Sequence, residues 1–317
     1  MLPVNLNWGE FIRGEDDYWK GLRKSLVAFI AIDPIKKIPQ HLGAGFIVFV
    51  AEHSDKKYIA ALTAKHVLEH AYRYQNIQRY ERRAANAPSV LFKDSVELDD
   101  MKLRALWMGD STADVMRVRY IDFLDGHDLA LVLLEPQEIC DPSVFQKIAL
   151  IPFDVRVPPV GAVVHLVSLT EYDIQGPFLE HGELSEVRNR PFVRWAKVTQ
   201  HNVESMGHKG TSFTVSCPTI SGMSGGFVYL PEQGGTIGAC GIISSSEEPQ
   251  ILGAEGASTN IVSIRSALGL HLPKTLDQPA TKLVEFIRQG VLRDITKGPE
   301  KFSYNIHDDG VVIQILN

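Results

Sequence analysis

Three stretches of this 317-residue chain hold side chains whose types could run acyl-transfer chemistry. In LTAKH (62–66), small residues end a β-type run and leave His66 at its tip. In GHDLALVLL (126–134), Asp128 opens an apolar run, and in ISGMSGGFVYL (220–230) Ser224 sits in a glycine-dense turn before another strand. A serine hydroxyl is a weak nucleophile until a neighbouring base takes its proton. Histidine titrates near neutrality and can take that proton, then return it to a leaving group. A buried carboxylate on the other ring nitrogen fixes the tautomer and stabilises the imidazolium. Glycines around Ser224 allow backbone N–H groups to point at a developing oxyanion, in conformations that bulkier residues resist.

The same letters carry rival readings. His66-Val67-Leu68-Glu69-His70 fits H-x-x-E-H, the inverted zinc-peptidase pattern, with His66 and His70 as ligands and Glu69 as base. That reading needs both histidines on one helix face and a further ligand from elsewhere. KYIAALTA (57–64) reads instead as a strand ending just before His66. GMSGG also satisfies G-x-S-x-G, but the nucleophile elbow requires a helix directly after the serine, and GFVYL is a strand pattern. Asp122 and Asp125 are weaker candidates than Asp128, and His127 is expected to face solvent. His165, inside an apolar run, is expected to be a hydrogen-bonded core or cleft residue.

The elements that would position these groups are short and β-rich. SLVAFIAI (25–32), GAGFIVFV (43–50), DLALVLLE (128–135), AVVHLVSL (162–169), SFTVSC (212–217) and GACGIIS (238–244) are strand-length runs bounded by turn residues. Their density predicts an all-β fold rather than alternating βαβ units. Helical patterns are confined to 66–85 and 280–294, and FSYNI and VVIQI flank a turn in a terminal hairpin. The boundaries expected are an N-terminal extension (1–24), a first barrel (25–140), a linker (141–160), a second barrel (161–268) and a C-terminal helix with β-hairpin (269–317).

Composition is that of an ordinary globular protein, with 44% hydrophobic and 22% charged residues. A net charge of −6 and dispersed Lys/Arg argue against a nucleic-acid-coating surface. The segment AYRYQNIQRYERR (71–83) is therefore read as a solvated amphipathic helix rather than a nucleic-acid patch. Three cysteines, Cys140, Cys217 and Cys240, make no disulfide framework and suit a reducing compartment. The N-terminal residues lack a signal-peptide pattern, and the apolar run Leu26 to Ile32 is too short to span a bilayer. A cytoplasmic protein without membrane attachment is expected.

In the order His66, Asp128, Ser224, the motifs TAKH, DLAL and GMSGG resemble the chymotrypsin/trypsin-like serine peptidases, especially their bacterial disulfide-free branch. GAGFIV (43–48) and GAVVHLVSL followed by HGELSEV are similar to that branch as well, and the resemblance covers roughly Leu26 to Leu268. It implies a double six-stranded β-barrel, with His66 and Asp128 from the first barrel and Ser224 from the second. It implies an oxyanion hole from the N–H groups of Gly222 and Ser224. The stretch Gly241 to Ser246, with Ser244, Ser245 and Ser246, is similar to the strand that pairs with an extended substrate, and Ser244 is placed to bond Asp128. Pro218 stands where trypsin-type enzymes carry the aspartate that selects Arg or Lys. Met223 replaces the zymogen-type aspartate, so activation by N-terminal cleavage is not expected. Val67 replaces a cysteine. No metal or organic cofactor is implied. The partners expected are a protein or peptide substrate and an activating protein, with no membrane and no nucleic acid. A catalytically silent interaction module on the same scaffold is the alternative of a different class.

Overall fold

The computed structural model describes residues 21–32, 39–53, 56–75, 103–109, 113–124, 126–136, 144–175, 186–201, 211–231, 237–246, 258–273, 280–296, 301–307 and 310–316. Runs such as LVAFIAI show no polar alternation, because successive residues enter different buried clusters. Leu26, Ala28 and Ile30 join one cluster, while Val27, Phe29 and Ala31 join another. A strand buried on both faces must be continuously apolar.

Six such strands close a first barrel: β1 (Leu26–Ile32), β2 (Pro39–His53), β3 (Lys56–Thr63), β4 (Leu103–Met108), β5 (Ala113–Phe123) and β6 (Ala130–Pro136). Their order around the barrel is β1-β2-β3-β6-β5-β4, and all pairings are antiparallel. The second barrel contains β7 (Val163–Gln175), β8 (Glu186–His201), β9 (Ser212–Val215), β10 (Phe227–Tyr229), β11 (Ala239–Ser246) and β12 (Thr259–Ser263). It closes in the order β10-β11-β12-β9-β8-β7. Register shifts between Ile47 and Phe49 in β2, and between Leu169 and Glu171 in β7, bend these long strands as closure requires. The all-β double six-stranded barrel expected from the sequence is the architecture found.

Helix α1 (Lys65–Gln75) leaves β3 after a single residue, and the short α2 (Val144–Lys147) lies between the barrels in sequence. The rest of the 66–85 helical pattern lies outside the described residues. The largest buried cluster spans the seam: Phe46, Leu62 and Leu131 from the first barrel meet Phe227, Tyr229 and Val262 from the second. The Phe46 and Phe227 rings are 5.3 Å apart.

The region after the second barrel belongs to the same seam. A 3-10 turn (Ile264–Gly269) leads to β13 (His271–Pro273), which pairs with β14 (Ala280–Lys282). The helix expected over 280–294 is shorter. α3 covers Leu283–Arg288, because its first residues are taken by β14 and Gly290, at φ 70°, turns the chain out of the helix. The chain then runs beside the linker: Phe153 N–H donates to Arg293 O at 2.9 Å and Ile295 N–H to Phe153 O at 2.8 Å. On its other side the linker pairs with β11, where Asp154 N–H donates to Ala239 O at 2.8 Å. The linker is thus the middle strand of a small parallel set. A last hairpin joins β15 (Lys301–His307) to β16 (Gly310–Leu316).

Phe286 on α3 stacks on Phe49 of β2, with centroids 5.6 Å apart and planes 23° from parallel. It is 5% exposed. Phe286→Ala leaves a cavity in the shared cluster and is expected to lower stability by about 3–5 kcal/mol, read from urea denaturation. A loss below about 1 kcal/mol would show that α3 contributes no packing.

Candidate active site

β3 ends at Thr63, and α1 starts at Lys65, so His66 lies in the first turn of a helix rather than inside one. The first N–H groups of a helix have no partner within it. For His66 the partner comes from the β5–β6 connection: its backbone N–H donates to Asp128 Oδ1 at 2.9 Å. Its ring Nδ1 contacts Asp128 Oδ2 at 2.7 Å. One carboxylate therefore caps α1, where the helix dipole favours a negative charge, and also orients the imidazole. Asp128 is 2% exposed.

A third donor comes from the second barrel. The hydroxyl of Ser244, on β11, makes a short hydrogen bond to Asp128 Oδ2. Burial alone would push the Asp128 carboxyl up. The bond from the His66 ring, the charge of that ring, the Ser244 hydroxyl and the His66 backbone N–H together outweigh burial, and hold it at about 2 against an ordinary 3.8.

Ser224 completes the set. Its hydroxyl donates to the carbonyl of Ser244 at 3.0 Å. His66, Asp128, Ser244 and Ser224 thus form one connected run of contacts across the seam. Among the described residues the Ser224 hydroxyl bonds Ser244 O and not His66, so the hydrogen bond that a serine nucleophile would make to its base is not formed. Such bonds are often long or misaligned before substrate arrives.

The turn carrying Ser224 is built from glycines for a definite reason. Gly222 and Gly225 lie at φ 91° and 88°, where a side chain is strained. A Cβ on Gly225 would sit 2.0 Å from Ala44 O and 2.3 Å from Thr63 Oγ1. Ala44 N–H donates to Ser224 O at 2.8 Å, and Thr63 Oγ1 donates to Ala44 O at 2.6 Å. The buried Ser168 hydroxyl donates to Met223 O at 2.8 Å, which holds the turn from the β7 side. Gly225 N–H is taken by Ile243 O at 2.8 Å. Among the described residues, the N–H groups of Gly222 and Ser224 donate to no acceptor.

The remaining sequence candidates distribute unevenly. Ser245 follows Ser244 on β11 and is half-buried, and Ser246 pairs with Thr259 in the backbone ladder. Gly241 belongs to the barrel wall instead. It pairs with Val228 on one side and Ser263 on the other, and Ile261 Cγ2 lies 2.4 Å from where its Cβ would be. A substrate strand has no edge to add to there. Pro218 is exposed, and its carbonyl accepts from Arg194 at 3.0 Å. Asp122 is engaged elsewhere, accepting the His271 backbone N–H at 2.6 Å. Asp125 lies outside the described residues. His127 is half-buried rather than turned to solvent. His165 bonds Tyr229 Oη at 2.8 Å.

The H-x-x-E-H letters fall on α1, but Glu69 pairs with Lys65 at 3.6 Å. Among the described residues no group of three or more His, Cys, Asp or Glu is gathered to hold a metal. The His66 and His70 rings do meet, edge to face, with centroids 5.5 Å apart.

One contributor carried no sequence signal. His41 on β2 packs against the turn, with Cε1 and Nδ1 each 2.9 Å from a Cβ placed on Gly222. Burial pulls its pKa from 6.5 to about 4, against a backbone hydrogen bond at Gly43 that acts the other way. Only the fold shows that β2 passes under this loop.

The two closed six-stranded antiparallel barrels are consistent with a chymotrypsin-like double β-barrel. Among solved structures the chain is similar to Rv3671c from M. tuberculosis H37Rv, in the inactive form of a serine-to-alanine mutant. That similarity is 13% identity over 76% of this chain and 82% of that one, with a TM-score of 0.39. So slight a likeness says nothing about function. No protein-family model and no curated protein matches the chain. Among the described residues no helix is long and apolar enough to cross a membrane.

Depressed folded-state pKa values at the half-buried His41 and the buried Asp128 contribute to the acid behaviour. His41 remains neutral in the fold below 6.5, where the unfolded chain takes up a proton, so stability falls as pH drops from 6.5 towards about 4. Asp128 keeps its charge below 3.8, so its contribution, complete above that pH, is lost as pH falls from 3.8 towards about 2. Each group adds a slope of at most about 1.4 kcal/mol per pH unit. Urea midpoints measured across pH should show a shallower upper slope in His41→Gln and a shallower lower one in Asp128→Asn. An unchanged profile in either variant would refute that assignment.

Proposed function

We propose that the chain is a serine endopeptidase of the chymotrypsin/trypsin-like family that cleaves peptide bonds through an acyl-enzyme intermediate. The observation that carries this reading is the run of contacts from the His66 ring through Asp128 and Ser244 to the Ser224 hydroxyl. It gathers a base, its orienting carboxylate and a nucleophile from two barrels at one seam.

In this reading Ser224 Oγ leaves the Ser244 carbonyl by rotating about χ1 and gives its proton to His66 Nε2 as it attacks the scissile carbonyl. Asp128, acting on Nδ1, keeps Nε2 as the acceptor and stabilises the imidazolium. The N–H groups of Gly222 and Ser224 receive the oxyanion, an interaction worth about 100- to 1000-fold per donor. His66 then protonates the departing amine, and water repeats the sequence on the acyl ester. An extended peptide adds beside Ser244 to Ser246, where backbone pairing gives sequence-tolerant affinity. Pro218 supplies no charge for a basic P1 side chain. A cytoplasmic address fits the buried free thiols of Cys217 and Cys240.

The Ser224–Ser244 hydrogen bond favours a second state, a latent enzyme that an activating protein partner switches on. If turnover were absent altogether, the chain would be a silent interaction module. Labelling with a fluorophosphonate probe separates these cases. Ser224 should label in the wild type, and Ser224→Ala should abolish labelling and lower kcat about 10⁶-fold. Asp128→Asn should lower kcat about 10⁴-fold with the fold retained. Proteolysis that persists in Ser224→Ala would sink the serine mechanism.

A further inference from the structure

The contact between His66 and His70 has no role in peptide hydrolysis. These residues are four apart on α1, so they share one helix face. His70 is exposed, and the His66 side chain is 28% exposed. Two imidazoles each about 2 Å from one tetrahedral zinc have ring centres about 5 Å apart. The observed separation is 5.5 Å. Both rings therefore lie within the span that one bound ion could bridge.

The other half of the argument is Asp128. A histidine that gives its Nδ1–H to a buried carboxylate is oriented and made more basic at Nε2, the arrangement found behind metal-bound histidines. The contact at 2.7 Å that prepares His66 as a base also prepares it as a ligand. Glu69 is drawn to Lys65 at 3.6 Å, so it does not supply a third ligand. Water would fill the remaining positions, and binding would be reversible.

We propose that His66 and His70 form a divalent transition-metal site, for zinc or an ion of similar imidazole preference, whose occupation switches off the base. Imidazole ligands select zinc, copper and nickel, whereas magnesium and calcium require oxygen ligands. A metal on His66 Nε2 uses the lone pair that would accept the Ser224 proton, so metal and proton exclude each other. The site is a brake, not a hydrolytic centre, and its effect on turnover rests on the peptidase reading above. The metal site itself does not.

The test is calorimetric titration of zinc chloride into the full chain in chelator-free buffer, with magnesium chloride in parallel. Wild type should bind one zinc at this site and no magnesium. His70→Ala should weaken zinc binding by at least about 10- to 100-fold, while His70→Cys, which retains a zinc ligand, should restore it. Zinc should slow fluorophosphonate labelling of Ser224 in wild type and His70→Cys, but not in His70→Ala, each compared with its own metal-free rate. Zinc affinity unchanged in a folded His70→Ala would overturn the proposal. If Ser224 never labels, the peptidase reading fails and calorimetry alone decides the metal site.

Discussion

Ala44 gives its backbone N–H to the carbonyl of Ser224, and the cleft depends on two main chains coming that close. Backbone meets backbone only where side chains are missing. A Cβ on Gly43 would lie 2.8 Å from Ser224 O, and one on Gly225 would collide with Ala44 O. Gly43 and Gly225 are therefore two halves of one contact. Thr63 closes it by bonding Ala44 O two residues before α1 begins. The strand that ends before His66 and the turn that carries Ser224 are thus registered through the same few atoms.

Asp128 extends this coupling in the perpendicular sense. Its oxygens accept from the His66 ring, the His66 main chain and the Ser244 hydroxyl, drawn from both barrels. A buried carboxylate is tolerated only when its lone pairs are so occupied. Any sliding of one barrel on the other would strip it of a donor. The charge that orients the imidazole is also what resists movement of the seam, which ties the geometry around His66 to fold stability.

Much of this was legible in the chain. Strand runs such as LVAFIAI and DLALVLL show their burial directly, and the order His66, Asp128, Ser224 with its glycines marks the candidate site. What escaped reading are contacts made at long sequence separation. His41 and Ser168 sit in unremarkable strands, and only barrel closure brings them to the Gly222 and Met223 backbone. Gly241 looked like part of a substrate strand, because local sequence does not tell an edge from a wall. The helical pattern over 280–294 was real only for Leu283–Arg288, since pairing with β13 and the turn at Gly290 overrode propensity on either side.

The clasp around the linker carries a consequence in time. Thr296 reaches back 141 residues to Val155, and His271 reaches back 149 to Asp122, in the hairpin whose turn carries Asp128. During synthesis both barrels are finished at Ser263, yet the residues that lock the linker and grip that hairpin have still to leave the ribosome. For some thirty codons the nascent protein holds His66, Asp128 and Ser224 without the clasp that steadies their geometry. On the proposed peptidase reading, the chain is least able to cut while it is still being made among unfolded chains.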